Sequence, residues 1–193
     1  CFLLVEGFQH TRNRKRYIGS MLIFAVISEV PFDIGFFSTF SMDAGTFPFY
    51  FEYQNVFFTL FLGLLSLTGL ELISQRYPNS EKKEKTKVLI LQVGIIAAIA
   101  CIAEFLKCDY GAQGIIFISG YYIFRKSRVL QVLMFLVLYM ATTGNQPPIY
   151  TLIAACLPLF YNGKRGKWNI KYFFYWFYPI HIFVLYAIAQ LVI

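Results

Sequence analysis

At 193 residues, 58% hydrophobic, 20% aromatic and only 14% charged, the chain carries more apolar surface than a water-soluble core of this size buries, which excludes an ordinary soluble domain. Its formal charge of +7 sits in short loops between apolar blocks and not on one amphipathic face, so nucleic acid is excluded as a partner. Membrane lipids and cytosolic anions are the partners this charge fits. The four cysteines, Cys1, Cys101, Cys108 and Cys156, lie within or at the ends of apolar blocks without metal-ligand spacing and read as buried thiols.

The first block, 1–8, is too short to span a bilayer. With no initiating Met and no charged leader ahead of it, it reads as the tail of a helix whose beginning is missing. After the basic run His10 to Arg16, block 18–40 is about 34 Å long as a helix, enough for a hydrocarbon core of roughly 30 Å. Blocks 55–73 and 88–105 follow, separated by a charged loop. Blocks 110–124, 129–142 and 149–161, at about 20 to 22 Å, are marginal spans that fit short or re-entrant helices. Block 172–193 is again long enough to cross. The expected fold is therefore all-α, a single polytopic transmembrane bundle of about eight segments with the first truncated.

Loop charge tests this segmentation, because positive residues are retained in cytoplasmic loops while spans alternate sides. Basic residues cluster at 12–16, 76–87, 125–128 and 164–171, which are alternate loops; Lys107 alone falls on the other side. Eight segments satisfy the pattern and seven do not. The basic loops are then cytoplasmic, and the C-terminus, Asp43, Glu52 and Asp109 lie outside a bacterial inner membrane.

Charges within a span are costly, about 2.5 to 3.5 kcal/mol each at its centre, and so are informative. Glu29 and Asp33, four residues apart, share a helix face on either side of Pro31, which frees the carbonyl of Ile27 from its helical hydrogen bond. Two readings stand, a polar cavity or a network fastening helices together. His181 lies roughly 14 Å into the last block, with Tyr178 one helical turn before it to orient the ring. It is either a catalytic base near mid-membrane or a histidine bonded within the bundle. His10 ends the first block beside Arg12 and Arg14, whose guanidinium groups suit phosphate as well as they suit membrane anchoring. Asp109 is placed to cap a helix starting near Tyr110. Gly-rich phosphate loops, nucleophile elbows and zinc motifs are absent from the sequence.

The run Phe-Leu-Leu-Val-Glu-Gly-Phe-Gln-His-Thr-Arg-Asn-Arg-Lys-Arg-Tyr over 2–17, with Leu-Ile-Phe-Ala-Val-Ile-Ser-Glu-Val-Pro-Phe-Asp over 22–33, resembles the TraX family of conjugation-associated membrane proteins. Asp109-Tyr110-Gly111 and Phe177-Tyr178-Pro179-Ile180-His181 resemble later motifs of that family, in the same order. The resemblance implies an acyltransferase related to the multi-spanning acyltransferases. Its founding activity is acetylation of a pilin N-terminus with acetyl-CoA as donor. It also implies a preceding membrane segment with an Asp-His pair, which this chain lacks. In such chemistry His10 or His181 would serve as base, Glu29 or Asp33 would orient a histidine or hold an ammonium acceptor, and Tyr178 would donate to the oxyanion. Arg12, Arg14, Arg16, Arg125 and Lys126 would grip the phosphates of CoA. The acceptor would be an amine or hydroxyl of a pilin or the envelope. A rival reading from the residues alone is a transporter or channel with an ion or proton path through the intramembrane carboxylates and His181.

Overall fold

The computed structural model describes residues 1–41, 52–78, 82–163 and 171–192, and the described residues form a helical bundle. Its helices are α1 (Phe2–His10), α2 (Arg14–Ser41), α3 (Val56–Arg76), α4 (Lys82–Phe105), α5 (Gly111–Ile123), α6 (Arg128–Thr143), α7 (Ile149–Cys156) and α8 (Lys171–Val192), with a 3-10 turn, Leu157–Phe160, after α7. Among the described residues four stretches are long and apolar enough to cross a membrane: Arg14–Phe37, Val56–Arg76, Glu84–Phe105 and Tyr172–Leu191. The expected positions of Asp43, Lys164, Arg165 and Lys167 lie outside the described residues, as do the side chains of Lys82 and Lys83.

Polar and basic residues set where several helices start, and α2 and α4 begin earlier than hydropathy alone predicts. Asn13 accepts the Arg16 amide at 3.0 Å, so α2 begins at Arg14, before the apolar run. Asn55 caps α3 by accepting the Phe57 amide at 3.0 Å, and Ser127 caps α6 through the Leu130 amide at 3.4 Å. Gly144 closes α6 in the left-handed region at φ +67, its amide bonded 2.9 Å to Met140 O. Pro31 and Pro179 are absorbed within α2 and α8, as membrane helices tolerate where neighbours re-satisfy the freed backbone.

Helix α3 is the centre of the bundle, touching α1, α2, α4 and α5; α8 packs along α2, and α6 and α7 lie beyond α5. Lipid tails are as apolar as leucine, so hydrophobicity does not drive these helices together and close packing must. A Cβ at Gly63 would strike Ile118, and one at Gly114 would strike Thr59, so both glycines let α3 and α5 approach. Between them Ser66 and Ser119 share a 2.9 Å hydrogen bond, both fully buried. Leu64, Leu67 and Leu70 of α3, Ile118 of α5 and Phe8 of α1 belong to one buried apolar cluster. Many leucines, isoleucines and phenylalanines instead face outward, the pattern of a bundle solvated by lipid.

Two local expectations are corrected. Asp109 does not cap α5. That helix starts at Gly111, its Ala112 amide is taken by Glu104 Oε1 at 2.7 Å, and Asp109 Oδ1 accepts from the Tyr53 hydroxyl at 3.0 Å. The reason is reach: Gly111 turns through φ +43, which brings the first turn over the end of α4 where Glu104 stands. Nor are the cysteines uniformly buried. Cys108 is buried, Cys156 half-buried, and Cys1 and Cys101 are exposed, Cys101 because it lies on an outward part of the sparsely covered α4.

Candidate functional site

Polar side chains gather at two levels of the bundle. One lies where α2, α8 and the connection into α3 meet. Asn55, with no exposed surface, donates from Nδ2 to Ala25 O at 2.8 Å and to Glu29 Oε2, and its backbone amide also reaches that oxygen at 3.4 Å. Glu29 is thereby turned inward toward α3, and Asp33, one turn on, is 3% exposed and electrostatically coupled to it. Glu29 Oε1 and Ser28 Oγ are buried without a hydrogen-bond partner among the described residues. Tyr178 of α8 joins the group: its ring packs edge-on against Phe57 at 5.2 Å, its hydroxyl meets the backbone of Val56, and Glu29 and Asp109 lie within electrostatic range. So the structure brings together Glu29, Asp33 and Tyr178, and adds Asn55.

His181 stands beside this group. Its ring is 5.6 Å from Tyr178 and stacks on Phe177 at 4.9 Å, and Nδ1 lies 2.9 Å from Phe177 O. A carbonyl only accepts, so Nδ1 carries a proton, and in the neutral ring the lone pair is on Nε2. Cys108, in the connection between α4 and α5, borders the same level. Burial pushes its thiol up to about 11, and the carboxylates of Glu29 and Glu104 push it in the same direction. The crevice of about 340 Å³ between α2 and α8 is a separate feature, lined by apolar side chains including Pro31, Trp176, Pro179 and Phe183. It contains neither carboxylate.

The second level is the basic end. Arg14 places Nη1 and Nη2 each 3.4 Å from Glu71 Oε1, and Glu71 Oε2 accepts from the Tyr122 hydroxyl. Arg125 lies over the Tyr122 ring at 4.1 Å and donates to Tyr122 O at 3.1 Å; Arg14 lies over Phe8 at 4.7 Å. Nearby, buried Glu6 accepts from Arg128 at 2.7 Å, and Arg128 also reaches Gln131 Oε1 at 3.0 Å. His10 belongs here: its Nδ1 is 2.9 Å from Glu6 O, so Nδ1 donates and in the neutral ring Nε2 is the acceptor. Of the five cationic residues expected around a donor, Arg14 and Arg125 converge on Tyr122, while Arg12, Arg16 and Lys126 are exposed. His10 and His181 are not brought together.

Sequence reading missed Asn55, Glu6, Glu71, Tyr122, Arg128 and Gln131. Glu6 and Glu71 carried a usable signal, since both are charges inside apolar blocks, the same criterion that singled out Glu29 and Asp33. Asn55 and Tyr122 carried none, because their importance lies in partners 26 and 51 residues away.

Apolar helices of spanning length, with inward carboxylates at one level and ring-stacked arginines at one end, define a polytopic helical membrane protein. The profile of the family described as TraX protein matches residues 1–189, and the chain belongs to that family. It is similar to the "Probable fimbrial assembly protein FimC, serogroup H1" of Dichelobacter nodosus, with 30% identity over 201 residues, covering 96% of this chain and 76% of that protein. No solved structure matches it.

Proposed function

We propose that this protein is a membrane-bound acyltransferase that moves an acetyl group from cytosolic acetyl-CoA to an amine or hydroxyl of a pilin or other envelope acceptor. The observation that carries this reading is the pairing, in a TraX-family chain, of a ring-stacked arginine end with an inward Glu29–Asn55–Tyr178 cluster beside His181. The name of the fimbrial relative supports a pilus-related acceptor. The donor-side groups fit a phosphate-bearing molecule: the guanidinium faces of Arg14 and Arg125 are covered by rings, which leaves their in-plane N–H groups as the atoms that bond an anion.

Acetyl-CoA supplies an activated thioester when bound. The protein's part is to remove a proton from the acceptor and stabilise the oxyanion that forms. His181 Nε2 takes the proton from the acceptor and returns it to the CoA sulfur as the acyl C–S bond breaks, Tyr178 donates to the oxyanion, and Glu29 with Asp33 holds a cationic acceptor or the imidazolium. His10, with the same tautomer at the basic end, is the alternative base. Each carboxylate-to-amide change keeps the side-chain shape and removes the charge. Glu29→Gln and Asp33→Asn should therefore abolish transfer from labelled acetyl-CoA by the full-length protein while leaving expression and CoA binding intact. Near-normal acetylation by both variants would reduce the carboxylates to helix fasteners.

A further inference from the structure

The two acid–arginine pairs at the basic end are built differently. Arg128 and Glu6 meet at 2.7 Å, with the Glu6 side chain only 6% exposed, which is the geometry of a permanent buried pair. Arg14 and Glu71 meet at 3.4 Å, with side chains 39% and 23% exposed. That distance exceeds the roughly 2.7 to 2.9 Å of a tight charge-assisted bond, so the Arg14 contact is loose and open to exchange, while the Tyr122 hydroxyl holds the other carboxylate oxygen. Near it stand three anion-binding groups from two helices: Arg14 from α2, the Tyr122 hydroxyl from α5, and Arg125 just past the end of α5, over the Tyr122 ring. Both arginines lie within electrostatic range of the Tyr122 phenol. Each guanidinium spends its face on a ring, Phe8 or Tyr122, and Arg125 has no acidic partner among the described residues. One cation and a hydroxyl thus hold the carboxylate, and a second cation lies over the ring that bears the hydroxyl.

We propose that Arg14, Arg125 and Tyr122 form a phosphate seat in which Glu71 is the resident anion, displaced when a phosphate group enters. The proposal rests on the donor reading above and deepens it: it narrows the cationic set to two arginines, adds a tyrosine, and makes Glu71 a built-in competitor that lowers donor affinity. On displacement, the Glu71 carboxylate keeps the Gln75 amide, already 3.2 Å away on the next turn, and turns toward solvent. A phosphate brings more charge and more acceptor oxygens to the same donors than a carboxylate does, which is why the exchange runs in that direction.

The test is equilibrium binding to the full-length protein in uncharged detergent, with CoA, inorganic pyrophosphate and short-chain phosphatidic acid as separate probes. Glu71→Gln removes the competing charge and should tighten CoA binding roughly tenfold, the equivalent of one modest electrostatic contact. Tyr122→Phe keeps the ring under Arg125 but removes the hydroxyl, and should weaken binding. Should Glu71→Gln fold poorly, Glu71→Asp retains the charge but withdraws it by one methylene, and should tighten binding to a smaller degree. A purely structural pair gives the opposite sign, because losing Glu71 would loosen the site. Wild-type protein that binds CoA while folded Glu71 variants bind it no more tightly would overturn the seat and leave the donor reading standing. Tightening seen for pyrophosphate or phosphatidic acid alone, with no CoA binding by any variant, would overturn the donor reading and leave the seat; the phosphatidic acid arm then identifies a lipid headgroup as occupant.

Discussion

Glu6 and Arg128 stand 122 residues apart, yet they make the tightest ion pair among the described residues, at 2.7 Å. Removing one partner of a buried pair leaves a desolvated charge, which costs about 3 kcal/mol or more, whereas neutralising both costs less. Arg128→Ala should therefore lower stability by about that amount in denaturation of the detergent-solubilised protein, and adding Glu6→Gln should recover much of the loss. Additive effects in this double-mutant cycle would mean the pair is not coupled. Cys108 gives a second residue-scale prediction, with its sign set by burial. Its thiol is pushed from 9.0 up to about 11, so at pH 8 only about one part in a thousand is thiolate. With the other cysteines replaced, alkylation of Cys108 should be slow at neutral pH and keep rising until about pH 11. A plateau near pH 9 would show an unburied thiol.

Among the elements, the α3–α5 contact is the one most sensitive to side-chain size. At Gly114 a Cβ would collide with Thr59 and approach Tyr110 Cβ to 2.9 Å, so Gly114→Val should destabilise by about 1 to 3 kcal/mol through overpacking. Gly94 of α4 is the internal control. Nothing lies within 4 Å of a Cβ there, so Gly94→Ala should be neutral or gain about 0.5 to 1 kcal/mol from helix propensity. Thermal melts of the two variants check the contrast, and equal shifts would remove the close-packing argument. Both helices were visible as apolar blocks in the sequence, because a span requires only a run of apolar residues. Their mutual approach was not, because a glycine in such a run reads the same whether it faces lipid or a neighbour. The cap of α5 shows the same gap: Asp109 had the right position in sequence, but Glu104 had the right position in space.

For the whole molecule, alternate loops carrying nearly all the basic residues predict an orientation. A single cysteine at position 126 should resist an impermeant maleimide in intact cells and label only after permeabilisation, while one at 145 should label from outside. The reverse pattern would invert the protein. Much about this molecule was determined by sequence alone: a helical membrane bundle, the approximate place of each helix, TraX-family membership, and the suspicion that Glu29 and Asp33 face inward. The family followed from motif resemblance; the rest follow from the length and composition of contiguous segments, which local hydrophobicity and the cost of intramembrane charge suffice to read. What only the tertiary structure decided is which polar groups meet. Asn55 with Glu29, Tyr122 with Glu71 and Arg14, and Arg128 with Glu6 each join distant segments. Within lipid, every apolar face is equally at home against a neighbour or against acyl chains, so hydropathy is silent about partners; close packing and hydrogen bonding select them, and both depend on three-dimensional shape.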